Sequence, residues 1–303
     1  MSTLPPVVIG IPTFRRPDLL AILLTSLRPE IEGRDARVIV ADNDPGPATP
    51  RVIEENCPSA TYVPVDERGI SQVRNAIIRT ALALEEPWEW LIMLDDDGYV
   101  HLGWLAGFVE AARRFDADAA SGPVLRDLPP DASILARNSM FAERPRRPDG
   151  PIPTISGAQN LALARQIVER MEPPWFDPEL GLIGGEDHHF FRRLEQMGAT
   201  FVWCDSAEVT ETTSAERLTT RAILSRAFRS NLIAAQSDVR FLGRGVVLRG
   251  IGAGLRRTAR NTAAAVTRRD ADRLAKSGLS LVSLGGRTGG LLTHKRPTRE
   301  HGS

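Results

Sequence analysis

Short apolar runs alternate with amphipathic stretches along the first 125 residues, and this alternation limits the fold more than any other feature of the chain. A short apolar run ended by turn residues indicates a buried strand, whereas apolar residues spaced three and four apart indicate a helix. Strands are predicted at residues 7–13, 37–42, 60–65, 90–94 and 119–125. Because helical patterns separate them, we expect the strands to pair in parallel. The sequence therefore predicts an α/β fold, a Rossmann-like, mostly parallel sheet flanked by helices.

Polar residues follow three of these strands at the point where each strand ends. They lie at residues 13–15 (TFR), 42–44 (DND) and 95–97 (DDD). In a sheet of this kind, ligands bind in the crevice beyond the carboxyl ends of the strands. We therefore expect the three segments to converge on one crevice.

Three aspartates, Asp95, Asp96 and Asp97, directly follow a strand that is wholly apolar. Adjacent carboxylates repel one another, which disfavours folding unless a cation compensates their charge. Oxygen ligands suit a hard divalent cation such as Mg2+ or Mn2+. The triad predicts a metal site, with a solvated acidic turn as the alternative.

A second acidic pair, Glu186 and Asp187, opens a predicted helix immediately after Gly184 and Gly185. The helix dipole favours acidic residues in the first turn, so the pair has a purely structural explanation. The glycines let a ligand approach the backbone closely, which favours a site. On local context alone, both interpretations stay open.

The formal net charge of zero hides an asymmetry between the two ends of the chain. Residues 240–303 carry 14 Lys or Arg and 3 Asp or Glu, whereas residues 1–239 carry 24 and 35. We predict a domain over residues 1–240 and a basic C-terminal extension over 241–303, helical or partly disordered. This extension is a candidate for contact with an anionic membrane surface or a phosphorylated substrate. Packing on the acidic body, or formation of a homodimer, is the alternative.

Two segments lack a regular pattern. Residues 126–154 are rich in Pro and Arg and predict a long loop of the kind that often acts as a functional lid. The glycine-rich run at 250–254 fails the dinucleotide-binding pattern, and we interpret it as flexible.

Other features of the sequence indicate a cytoplasmic protein. The two cysteines, Cys57 and Cys204, are far apart and are expected to be reduced thiols. The N-terminal segment lacks the basic and apolar regions of a signal peptide, and no apolar run is long enough to span a bilayer. We expect peripheral contact with the inner face of the membrane through the basic extension, and no nucleic-acid partner.

Several motifs, taken in order, resemble those of the family 2 glycosyltransferases, which are inverting enzymes with the GT-A fold. They lie at residues 11–17 (IPTFRRP), 41–44 (ADND), 68–75 (RGISQVRN), 94–97 (LDDD), 156–160 (SGAQN) and 185–187 (GED). Each motif is weak by itself, but six in the right order are specific. The resemblance covers roughly residues 6–240.

The resemblance implies transfer of a sugar from a nucleoside-diphosphate sugar to an acceptor hydroxyl, with inversion, in polysaccharide or glycoconjugate biosynthesis. Asp187 is the implied general base, with Glu186 as second choice. Asp97 and Asp95 are the implied ligands of Mn2+ or Mg2+, and Glu211 stands where many members have a metal-binding His. Contacts with the nucleotide-sugar are implied for Pro12, Thr13, Phe14, Arg15, Asp42, Arg74, Asp95, Asp96 and Gly157.

Three other functions fit parts of the sequence. Residues 95–98 (DDDG) resemble the nucleophile motif of HAD-type phosphatases, but Tyr99 follows where that family needs Thr or Val, and no Lys lies between Asp97 and Asp187. A sugar-nucleotide nucleotidyltransferase would have a Gly-rich basic loop after the first strand, which this chain lacks. A non-catalytic, membrane-associated protein that binds nucleotide-sugars is the third alternative.

Overall fold

The computed structural model describes residues 4–141 and 146–293. The described residues form two compact units. We call them the sheet unit, made of the described residues within 1–127 and 143–212, and the helical unit, made of the described residues within 128–142 and 213–303. The helical unit is therefore discontinuous in sequence.

The strands of the sheet unit form two sheets. In chain order they are β1 (Val7–Thr13), β2 (Ala36–Asp42), β3 (Thr61–Pro64), β4 (Trp90–Leu94), β5 (Gly98–Val100), β6 (Ala119–Ser121), β7 (Val124–Asp127), β8 (Gly150–Ile152), β9 (Asn160–Ala164), β10 (Phe201–Trp203) and β11 (Val209–Thr212). Within the described residues, the large sheet has the order β3-β2-β1-β4-β9-β6-β10-β8, and the small sheet has the order β5-β11-β7.

Most neighbouring strands of the large sheet are parallel, as predicted. Parallel pairing joins β1 to β2 and β4, β2 to β3, and β6 to β10. In contrast, β9 is antiparallel to both of its neighbours, and β8 is antiparallel to β10. All seven residues of β1 are buried, as expected for a central strand covered on both faces.

Helices connect the strands and also make up the helical unit. They are α1 (Pro17–Ile31), α2 (Ala48–Asn56), α3 (Ile70–Leu82), α4 (Trp104–Arg114), α5 (Ile134–Arg137), α6 (Arg165–Arg170), α7 (Glu186–Gln196), α8 (Thr220–Leu242), α9 (Arg244–Arg268) and α10 (Ala271–Thr293). Helix α1 shows why they form: Pro17 suits the first turn, and Leu20, Leu23, Leu24 and Leu27 recur at helical spacing and are buried. Each of these leucines contributes about 1.5–3 kcal/mol on burial.

The predicted strand at 119–125 is wrong as a single element. It is broken at Gly122 and Pro123 into β6 and β7, which belong to different sheets. A side chain at Gly122 would collide with the backbone carbonyl of Ala207, so the chain turns where only glycine fits.

The helical C-terminal extension is confirmed. In the helical unit, α8 and α10 pack closely because Gly286 and Gly290 lie against the backbone carbonyls of Phe228 and Leu232. The glycine-rich run at 250–254 lies inside α9, so its predicted flexibility is wrong. There Gly254 is buried and a Cβ would lie 2.6 Å from Leu284 Cδ2, so helix packing outweighs the low helix propensity of glycine.

The structure differs from the sequence prediction at one domain boundary and in one predicted loop. The boundary that we predict after residue 240 falls inside α8, which ends at Leu242. The predicted loop at 126–154 contains α5 and β8, and its residues 142–145 lie outside the described part of the chain. No helix among the described residues is both long enough and apolar enough to cross a membrane.

Candidate active site

The carboxyl ends of β1, β2 and β4 lie at one edge of the large sheet, because the three strands are parallel. Thr13 and Asp42 are in register at this edge. The antiparallel strand β9 begins there, with Asn160 opposite Leu94. This topology brings together the segments that follow β1, β2 and β4 and the segment that precedes β9.

The carboxylate of Asp96 fixes the segment after β1. Thr13 Oγ1 donates a hydrogen bond to Asp96 Oδ2 at 2.6 Å, and the Phe14 N–H donates to the same oxygen at 3.4 Å. Arg16 Nη1 lies 3.2 Å from Asp96 Oδ1. Burial raises the pKa of Asp96 to about 6, although Thr13 and Arg16 both stabilise its charge. Asp96 therefore acts from within the protein to order the loop.

Two further acidic residues, Asp97 and Glu211, lie beside this loop. Arg16 Nη1 is 3.0 Å from Asp97 Oδ2. Strand β11 pairs with β5 so that Glu211 is opposite Gly98, which places Glu211 next to the aspartate triad. Burial raises the pKa of Glu211 to about 7, and the charges of Asp97 and Asp95 raise it further against the attraction of Arg126. The Arg126 Nη2 to Glu211 Oε2 distance is 2.7 Å.

The chemistry of Asp95, Asp97 and Glu211 fits a hard divalent cation, because all three supply carboxylate oxygens, the ligands that such a cation prefers. In the described part of the chain, however, no three His, Cys, Asp or Glu residues are grouped closely enough to hold a metal ion. Arginines instead supply the positive charge: Arg16 contacts Asp97, and Arg126 contacts Glu211. A cation would replace these contacts.

Three carboxylates converge on the buried guanidinium of Arg74. Its Nη1 lies 3.0 Å from Glu186 Oε1 and also contacts Asp187 Oδ1, while Nη2 lies 3.2 Å from Asp95 Oδ1. Burial alone would lower the pKa of Arg74, but the three acids together raise it above its ordinary value. Burial and the neighbouring charge of Asp187 raise the pKa of Glu186 to about 7. The cluster joins α3, α7 and the end of β4.

The residues before α7 place its acidic first turn against α3. Gly184 and Gly185 have φ values of 89° and 88°, which glycine adopts without strain. The Ile70 N–H donates to the carbonyl of Gly181 at 3.0 Å. The side chain of Asn75 pairs with the backbone of Phe176 through bonds of 2.7 and 2.9 Å. These bonds fasten the loop before α7 to α3.

The segments after β1 and β2 form the other side of the site. The Arg68 guanidinium lies 4.1 Å from the centre of the Phe14 ring, and Arg15 Nε lies 2.7 Å from an oxygen of Asp44. Arg15 has a φ of 54°, an uncommon conformation that often marks functional loops. Asp42 is buried and accepts a hydrogen bond from the Asp44 N–H at 3.0 Å.

Two other predicted site residues, Pro12 and Gly157, form part of the backbone around the site. Pro12 is buried in β1 opposite Ala41, and Gly157 precedes Ala158, whose N–H donates to Asp187 Oδ2 at 3.1 Å. The structure therefore brings the predicted residues to one edge of the large sheet. Asp42 and Arg74 bind protein groups.

Two arginines that form ion pairs with acidic residues of the site, Arg16 and Arg126, are missing from the predicted set. The aspartate triad does indicate that positively charged side chains lie nearby, because three adjacent carboxylates require a compensating charge. Nothing local in the sequence identifies which of the many arginines supply it.

Comparison with known proteins gives the family. The family model described as glycosyl transferase family 2 matches residues 8–165, about half of the chain. The chain belongs to glycosyl transferase family 2. Among curated relatives of this family 2 glycosyltransferase is the succinoglycan biosynthesis protein ExoM of Rhizobium meliloti (strain 1021), which is 32% identical over 228 residues, 73% of this chain and 72% of the relative.

Solved structures confirm the GT-A fold of this family 2 glycosyltransferase. The mannosyltransferase PcManGT from Pyrobaculum calidifontis, in complex with GDP-Man and Mn2+, has a TM-score of 0.62 at 15% identity, covering 96% of this chain and 88% of that one. Residues 1–349 of S. aureus TarS have a TM-score of 0.53 at 14% identity, covering 78% and 72%. Membership of the family removes the phosphatase alternative.

Proposed function

We propose that this glycosyltransferase moves a sugar from a nucleoside-diphosphate sugar to an acceptor hydroxyl, with inversion, during polysaccharide assembly. The similarity to a succinoglycan biosynthesis protein supports a role in polysaccharide assembly. The GDP-Man and Mn2+ in the similar mannosyltransferase support a nucleotide-sugar donor and a divalent cation. The acceptor is a glycan, a lipid-linked sugar or a small molecule.

The position of Asp187 is the observation that carries this proposal. Its carboxylate is held at one oxygen by Arg74 and at the other by the Ala158 N–H, and its side chain is 23% exposed. Glu186, by comparison, is 11% exposed. A general base must reach the proton that it removes, so the partly open Asp187 is the better candidate.

In the proposed reaction, the acceptor oxygen attacks the anomeric carbon while the bond from that carbon to the donor phosphate oxygen breaks. Asp187 takes the hydroxyl proton, and the nucleoside diphosphate leaves from the opposite face. Asp95, Asp97 and Glu211 would hold Mn2+ or Mg2+, which stabilises negative charge on the leaving diphosphate. The segment containing Phe14 and Arg15 contacts the nucleotide.

The substitution Asp187→Asn tests the assignment. It removes the proton acceptor at nearly constant volume, so we expect transfer to fall at least about 100-fold. Donor affinity should change little, because the contacts of the nucleotide lie on the other side of the site. Release of nucleoside diphosphate with Mn2+, across a panel of nucleotide-sugars, measures transfer, and NMR of the product gives the anomeric configuration.

The matched control is Asp35→Asn, which changes a half-exposed aspartate before β2 and should leave transfer intact. Full activity of Asp187→Asn would exclude this residue as the base. A retained anomeric configuration would exclude the inverting reaction.

We also propose that α9 attaches the enzyme to the inner, cytoplasmic face of an anionic membrane. Leu248, Leu255 and Val266 are exposed and spaced by 7 and 11 residues, which places them on one face of α9. Arg249 and Arg256 line the adjacent face. An apolar stripe beside arginines is typical of helices that lie in the lipid interface. Dimer formation through the same face is the alternative outcome.

A further inference from the structure

Arg74 is enclosed by protein on every side. Its side chain is 3% exposed, and its guanidinium lies 5.3 Å from the centre of the Phe176 ring. The buried Nε–H donates to no described residue, so the contacts of this side chain are made by its two Nη atoms. A nucleotide in the crevice cannot reach a guanidinium enclosed in this way without rearrangement of the protein. The charge of Arg74 acts through the acids that it contacts.

Those acids belong to the two halves of the site. Asp95 follows β4, on the side where we propose that the donor binds, whereas Glu186 and Asp187 open α7 on the side of the proposed base. Without a cation between them, three carboxylates at this separation would repel one another and turn apart. The planar guanidinium contacts acids in different directions at fixed geometry, which a lysine ammonium does not do.

The orientation of Asp187 depends on this contact. Arg74 binds Oδ1, and the Ala158 N–H binds Oδ2, so both carboxylate oxygens are held and the side chain cannot rotate freely. Such pre-organisation matters because a displacement of about 1 Å at a reacting group can lower a rate about 100-fold.

We infer that Arg74 is a positioning residue: it holds the proposed base Asp187 in register with the donor-side Asp95, and it does not bind the nucleotide. This inference rests on the proposed function, because it assigns the orientation of the base in that reaction. It replaces the nucleotide contact that the sequence motif implies for Arg74.

Steady-state kinetics of Arg74→Lys separate the two roles. We expect kcat at saturating donor to fall about 100-fold, because the ammonium cannot hold both Asp95 and Asp187, while KM for the donor changes little. In Arg74→Ala, guanidinium chloride at non-denaturing concentration should restore part of kcat by entering the vacated space. Raised KM with unchanged kcat would show that Arg74 binds the donor, and unchanged kinetics would show that it has no role; either result overturns the inference.

Arg165→Met is the matched control. Arg165 also pairs with a carboxylate, Glu169, at 2.6 Å and lies 5.0 Å from the centre of the Trp88 ring. It follows the far end of β9, away from the site, so its loss should leave kcat unchanged.

A double-mutant cycle measured by thermal unfolding tests the contact between Arg74 and Asp187 without an activity assay. If Arg74 holds Asp187, the Tm losses of Arg74→Lys and Asp187→Asn will not add in the double variant. Additive losses would overturn the inference. A wild-type protein that transfers no sugar would instead overturn the proposed function, whereas an active wild type with an unimpaired Arg74→Lys variant would overturn only the role of Arg74.

Discussion

The three adjacent aspartates of the site differ in what surrounds each side chain. That of Asp96 is 6% exposed and is tied to the loop after β1, whereas that of Asp95 is 32% exposed and contacts Arg74. Asp97 contacts Arg16. One acidic motif therefore combines a residue that orders the loop with residues suited to a cation.

The burial of Asp96 predicts how the stability of the protein without divalent cation depends on pH. Its folded-state pKa of about 6 lies above the ordinary 3.8, so the folded form binds this proton more tightly. Asp96 therefore makes stability fall as pH rises from about 4 to about 6. Because asparagine does not titrate, we expect the stability of Asp96→Asn relative to the wild type to rise by about 3 kcal/mol between about pH 4 and pH 8.

Urea unfolding across this pH range, with chelator present, measures the difference. Asp35→Asn, which changes a half-exposed aspartate, should show no comparable gain. A gain that is constant from pH 4 to 8 would contradict the account, because it would not come from the titration of Asp96.

The sequence predicted the residue types of the site but not their partners. The aspartate triad follows an apolar strand, and the edge of a parallel sheet brings it near Thr13 and Asp42. Whether Arg74 faces a nucleotide or Asp187 depends on the packing of α3 against the loop before α7. Arg74 and Asp187 are more than one hundred residues apart in sequence, so no local pattern predicts their contact.

At the scale of helices and strands, apolar runs and helical periodicity located the central elements well. The wrong predictions lie where tertiary contacts determine the backbone conformation. Gly122 breaks a run that reads as one strand, because it passes close to the backbone of Ala207. The glycine-rich run at 250–254 forms part of α9, because Gly254 packs against Leu284. Local propensity is a weak guide at both places.

The contact between α8 and α10 predicts opposite effects of the same substitution at two glycines of α10. A Cβ at Gly290 would collide with the carbonyl of Leu232 and lie 2.9 Å from Ala235 Cβ. Gly290→Ala should therefore destabilise the protein by about 1–3 kcal/mol. Gly278 has no atom within 4 Å of such a Cβ, so Gly278→Ala should stabilise it by up to about 1 kcal/mol.

Denaturant unfolding followed by far-UV circular dichroism compares the two variants. Equal stability of Gly290→Ala and Gly278→Ala would show that α8 and α10 are not in close contact at Gly290.

At the scale of the whole molecule, positive charge is concentrated at the C-terminal end. We expect the protein to float with vesicles that contain anionic lipid, and less so as salt rises, because salt screens the arginines. Replacing both Leu248 and Leu255 with Ser should weaken binding at least about 10-fold, since each buried leucine contributes about 1.5–3 kcal/mol. Leu102→Ser changes an 83% exposed leucine of the sheet unit and serves as the control.

Equal flotation with neutral vesicles, or with the double-Ser variant, would contradict the membrane contact. A concentration-dependent dimer in gel filtration that the double-Ser variant abolishes would indicate that the α9 face binds a second copy of the chain.

The distribution of lysine has a practical consequence. The chain has two lysines, Lys276 and Lys295, and none in residues 1–239. Lys276 is exposed on α10, and Lys295 lies outside the described residues. Amine-reactive dyes, biotin esters and sensor-chip chemistry will thus couple at the C-terminal end or at the terminal amine. The acidic crevice offers them no side chain, so tethered or fluorescently labelled enzyme should keep that crevice chemically unaltered for donor-binding measurements.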